Sequence, residues 1–183
     1  PDYVNFRPGC PQRFIVTVDT EEEFDWTRPL QREGYTTDSV PALARFQTFC
    51  EEAGVVPIYL IDWPVAVAPA AVAVLREAAI AGRAEIGIQL HPWVNPPFDE
   101  DVTPFNSYAG NLPGALERAK FGQLRDELER QFGVPPQIYR AGRYGVGANT
   151  LPLLAEHGVR IDTSVRARFD YSAGGGPNFR DHP

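Results

Sequence analysis

Alternation constrains this chain more than any other feature, because short apolar, β-branched runs take turns with segments whose apolar residues recur at helical spacing. Residues 14–19, 55–62 ("VVPIYLID"), 84–90 ("AEIGIQL"), 137–140 and 159–165 read as strands. Between them, residues 39–53, 70–81, 114–132 and 150–157 read as helices. In the first helix Leu43, Phe46, Cys50 and Ala53 share a face, Pro41 sits in the opening turn and Gly54 follows the end. In the third, Leu124, Leu128 and Phe132 are in register and Gly133 is the stop. Strand and helix repeated in this way build right-handed crossovers on a parallel sheet, so an α/β fold is expected. The chain reads as one domain, 1–183, with five strand units against the eight of a closed (β/α)8 barrel. The sheet is therefore either open or a distorted, partial barrel without its C-terminal elements.

Composition narrows the partners. At 43% hydrophobic and 22% charged, the chain can fill one real core. A net charge of -7 with no basic run argues against nucleic acid or an anionic membrane surface, which would be repelled. No stretch approaches the ~20 apolar residues that span a bilayer, and the expectation is a soluble, cytoplasmic protein. The chain contains no Met, so Pro1 is not an initiator and a preceding segment is compatible with the sequence. Two cysteines are too few for a disulfide framework, and Cys50, on the apolar helix face, is expected as a buried thiol.

The strand ends carry the chemistry. In parallel α/β folds, reactive groups gather at the carboxyl ends of the strands. Here those ends hold Asp19 and Glu21, then Asp62 and Trp63, then Gln89, His91 and Trp93, then Arg140 and Arg143, and last Asp162. Asp19 and Glu21 are two apart, so in extended chain they point the same way, one able to hold a metal while the other handles a proton. Gln89 and His91 repeat that spacing. Asp19 directly continues an apolar strand, where a carboxylate must be paired or functional. Glu22, Glu23 and Asp25 read more simply as a solvated acidic loop.

Four segments, "TVDTE", "EIGIQLHPW", "YRAGRYG" and "RIDTSV", fall in that order at successive strand ends. Together they resemble the polysaccharide deacetylases (the NodB-homology group, carbohydrate esterase family 4), nearest the subgroup linked to lipopolysaccharide biosynthesis, over residues 14–179. The resemblance implies a distorted (β/α) barrel and a hydrolase, dependent on a divalent metal such as zinc, that removes acetyl groups from a sugar or polysaccharide. By position, Asp19 would be the general base, Glu21 and His91 metal ligands, Arg140 the residue that orients the base, and Asp162 the partner of Arg140. Tyr144 would lie in the loop that helps hold the oxyanion, with Arg143 and Trp93 on the substrate side. The family's second motif offers two histidines, whereas here Gln89 takes the place of one and Asn95 follows four after His91. The family's late Leu-His pair, source of the general acid, has no counterpart, since His182 is the penultimate residue.

Other features carry less. "GVGANT" from Gly145 lacks the third glycine of a nucleotide loop. Trp93, Phe98 and Tyr108 lie in a long Pro- and aromatic-rich loop that could stack a sugar or close as a lid. The Gly-rich tail 166–183 is too irregular to supply missing strands, so an exposed sheet edge would be covered by the tail or by a second subunit. The competing expectation is a non-catalytic carbohydrate-binding domain of the same fold that has lost a metal ligand and the acid.

Overall fold

The computed structural model describes residues 7–11 and 13–182. Five strands form one sheet in the order β1-β2-β3-β4-β5: Thr17–Thr20, Ile58–Ile61, Glu85–Leu90, Ile138–Ala141 and Ile161–Asp162. Every neighbouring pair is parallel. Sequential order without reversal is the winding of a barrel wall, since a doubly wound sheet changes direction partway. The sheet does not close.

Helices α1 (Leu43–Glu52), α2 (Trp63–Ala66), α3 (Pro69–Ile80), α4 (Gly114–Phe132) and α5 (Thr150–Glu156) connect the strands. Tyr59, Ile61, Ile86, Ile88, Leu90 and Tyr139 alternate along the central strands and join the core cluster contributed by α3 and α4. In α4 the residues Phe121, Leu124, Leu128 and Phe132 form the buried stripe, and Gly133, at φ 76°, ends the helix with its N–H on the Glu129 carbonyl. Cys50 is a buried free thiol, as its helical position implies. No helix among the described residues is long and apolar enough to cross a membrane.

The outer strands are shorter than their apolar runs. β1 begins at Thr17, and Phe14, expected inside a buried strand, is 88% exposed. β5 keeps only Ile161 and Asp162 of the expected run 159–165. Each has a hydrogen-bonded partner on one side only, so its apolar residues meet one neighbour instead of two. The tail is irregular but packed: Asp170 bridges Asn178 antiparallel, Phe179 is buried, and the Asn111 Nδ2 donates to the Gly175 carbonyl at 2.7 Å.

Candidate active site

Parity along the strands places one face of the sheet toward the helices and the other toward a pocket of about 200 Å³. Gln89 stands opposite Arg140 in the ladder, and Asp19, Leu60 and Gly87 form the row below. The Arg140 guanidinium, on β4, pairs with the Asp19 carboxylate on β1, and its remaining nitrogens donate to Thr17 Oγ1 at 3.3 Å and Thr163 Oγ1 at 3.2 Å. Three strand spacings of ~4.8 Å separate β1 from β4, too far for a side chain across a flat sheet. The contact therefore requires strong curvature. Gly87, in the middle of the concave face, permits it: a Cβ there would lie 2.6 Å from Leu60 Cδ2.

His91, one step past β3, is fixed from behind. Its Nδ1 lies 2.8 Å from Glu22 Oε2, its ring stacks on Trp93 with centroids 4.5 Å apart, and Trp93 Nε1 donates to the other Glu22 oxygen at 3.0 Å. Asp62 completes the support. One of its oxygens accepts from Glu22 N at 2.8 Å and the other caps α2 by accepting from Val65 N at 3.0 Å. With Nδ1 committed to Glu22, the imidazole presents Nε2 to the pocket, 3.3 Å from Glu21 Oε2 and 3.3 Å from Gln89 Nε2. Gln89 Nε2 also donates to Glu21.

The charges are strongly coupled. Burial alone would push the His91 imidazole down, but Glu22, Glu21 and Asp62 outweigh it and hold the pKa well above the ordinary value. Burial likewise works against the Glu22 carboxylate, yet His91 wins and the pKa is lowered. Asp62, buried and beside the Glu22 carboxylate, is pushed well above the usual carboxylate range. Ligand atoms of Glu22, Asp62 and His91 lie within 4.8 Å of one another, close enough to hold a metal ion.

Of the residues expected from sequence, Asp19, Glu21, Gln89, His91, Arg140, Arg143 and Tyr144 meet around one pocket. Three readings need correction. Trp93, expected to face substrate, is 1% exposed and serves the back of His91, because its indole N–H is drawn inward by Glu22. Asp162, expected to hold Arg140, pairs in the ladder with Tyr139, one position off the Arg140 row. Its carboxylate accepts instead from Ser164 N at 3.0 Å and Ser164 Oγ at 2.5 Å. Asp19, expected at the end of a buried strand, has a side chain 41% exposed, since β1 is an edge.

The first part of the loop after β3 is anchored to α4. Lys120 on α4, fully buried, donates to the carbonyls of Pro92, Asn95 and Pro97 at 2.9, 2.6 and 2.6 Å. Asn95 turns away from the pocket and donates to the Lys120 carbonyl at 3.0 Å. The glycines of "GVGANT" serve a loop crossing: Gly110 N donates to Gly145 O at 2.7 Å, and a Cβ on Gly110 would fall 2.2 Å from Gly147 N. That crossing braces the turn carrying Arg143 and Tyr144, whose φ angles of 54° and 60° are left-handed.

Three site residues escaped the sequence reading. Sequence reasoning puts Glu22 in a solvated loop, puts Asp62 at a strand end without assigning it a contact, and assigns Trp26, 57% exposed on the pocket rim, nothing. Glu22 was invisible because its burial depends on Trp93 and His91, about seventy residues on. The one usable signal was Asp62, an N-cap residue directly before Trp-Pro.

A curved parallel sheet thus carries a carboxylate, an imidazole and an arginine-held aspartate at its strand ends. Among solved structures, the chain resembles a protein described as a polysaccharide deacetylase from Mycobacterium smegmatis, with TM-score 0.51 and 23% identity over 69% of this chain and 39% of that one. It also resembles the chitin deacetylase of the fungal pathogen Colletotrichum lindemuthianum, with TM-score 0.53 and 16% identity over 81% of this chain and 53% of the other. The chain has the polysaccharide deacetylase fold and spans about half or less of the length of these relatives. No family model and no curated protein matches it.

Proposed function

We propose that this chain is a deacetylase-like hydrolase acting on an acetylated carbohydrate with the help of a divalent cation. The observation that carries the reading is the convergence of Asp19, Glu21, His91 and Arg140 on one pocket in a deacetylase fold. Glu21, His91 Nε2 and Gln89 would hold the cation, with Glu22 and Asp62 behind them. The donor set fits once the Gln89 amide turns over: one carboxylate, one imidazole whose far nitrogen is already hydrogen-bonded, and an amide whose Oε1, buried without a partner, would replace the Nε2 that now faces Glu21 and His91. A bound cation would supply Lewis-acid polarisation of the acetyl carbonyl and of an attacking water.

The chain's own residues do the rest. Asp19, held by Arg140, would take the proton of the attacking water. Backbone N–H groups at the Arg143–Tyr144 turn would stabilise the oxyanion of the tetrahedral adduct. Collapse breaks the acyl bond, the proton taken up by Asp19 passes to the leaving nitrogen or oxygen, and acetate is released with a sugar amine or hydroxyl. Acetate release from neutral and acidic acetylated oligosaccharides, with and without added zinc, tests this reading; none from either class at any metal concentration would reject it. Gln89 in place of a second imidazole favours the other reading, a sugar-binding module, which that outcome would support.

Gln89 also gives a direct test of the cation site. Because its side chain faces both Glu21 and His91, Gln89→His should complete a set of three strong ligands. Competition titration should show zinc binding about tenfold tighter, roughly 1.4 kcal/mol. Unchanged or weaker affinity would place the cation elsewhere, with the Glu22, Asp62 and His91 cluster as the alternative.

A further inference from the structure

We propose that the sugar taken by this site carries a negative charge beside its acetyl-bearing ring, a carboxylate or a phosphate, and that Arg28 and Arg143 bind it next to Trp26. The pocket's occupant rests on the deacetylase reading above; the charge rests on separate geometry. A second groove, also about 200 Å³, runs on from the pocket and shares Trp26 and Arg143 with it. Trp26 is exposed yet braced edge-on by Phe24 at 5.5 Å and Trp93 at 6.2 Å, a platform of the kind on which a sugar ring stacks.

Two guanidiniums line the same groove, and neither has a carboxylate within 4.0 Å among the described residues. Arg143 has only neutral partners: the Ser107 hydroxyl, the Pro104 carbonyl at 3.4 Å and the Tyr108 ring face at 4.3 Å. Asp25, the acid nearest Arg28 in sequence, is hydrogen-bonded by Thr27 N at 2.9 Å and Thr27 Oγ1 at 2.7 Å and feels the Arg28 charge without bridging to it. Two guanidiniums in one groove of a chain of net charge -7, neither bridged to a carboxylate, favour an anion. The charge cannot sit in the pocket itself, where Asp19 and Glu21 would repel it. A neutral polysaccharide would use Trp26 and leave both arginines unmatched.

Calorimetry on the full chain tests this with three probes: chitotetraose as the neutral sugar, a hyaluronan tetrasaccharide for the carboxylate, and N-acetylglucosamine 1-phosphate for the phosphate. At least one anionic probe should bind about tenfold tighter than chitotetraose at low salt, the size expected of two partly exposed charge pairs. The preference should fade as ionic strength rises, and whichever anionic probe binds tighter identifies the group. Arg28→Gln with Arg143→Gln should abolish the preference. Arg28→Gln alone, at an exposed position, should reduce it even if the double variant folds poorly. Equal affinity for all three probes, no binding of either anionic probe, or a preference that survives both variants would overturn the proposal. Acetate released equally from neutral and anionic sugars would sink the groove and spare the deacetylase reading; anionic preference without any acetate release would do the reverse.

Discussion

Asp19→Asn should lower acetate release about 10³-fold while leaving the folded protein intact. The loss is large because the substitution removes the one carboxylate that both lines the pocket and is held by Arg140, and an amide cannot accept the water's proton. The fold should survive because the Asp19 side chain is 41% exposed at an edge strand, where an ion pair contributes at most about 1 kcal/mol. Arg140 keeps Thr17 and Thr163 as partners. Circular dichroism and thermal midpoint should therefore match the parent chain. Activity within tenfold of the parent would remove Asp19 from the mechanism, and a lost fold would show that the pair with Arg140 is structural.

Lys120→Met is expected to cost about 3–5 kcal/mol of stability, a fall of roughly 10 °C in thermal midpoint. Methionine follows the path of lysine but stops one atom short and donates nothing, so the carbonyls of Pro92, Asn95 and Pro97 lose their shared donor in a fully buried place. The Glu100 carboxylate, 3.0 Å from the ammonium, would lose the charge facing it. Burial pushes the Lys120 pKa down from its usual range, and Glu100 works against that fall. The same carbonyls anchor the loop leaving His91, so zinc affinity should weaken together with stability. A thermal midpoint within 2 °C of the parent would mean that water or another donor replaces the ammonium.

The amino-acid pattern alone carries the alternation of strands and helices, and with it the parallel sheet, because apolar period and helix stops are local properties. Residues 114–132 read as helix at the observed bounds, because Gly133 stops the apolar stripe from Leu124 to Phe132. It also brought Asp19, Glu21, Gln89, His91 and Arg140 to strand ends, where parity along a strand dictates which residues share a face. Tertiary structure decided what parity cannot. Curvature joins Arg140 to Asp19 across three strands, and ladder register turns Asp162 toward Ser164 instead of Arg140. Packing sinks Glu22, Asp62 and Trp93 behind the imidazole and leaves Trp26 on the rim. These outcomes depend on contacts between residues about forty to 120 apart in the chain, which no local pattern encodes.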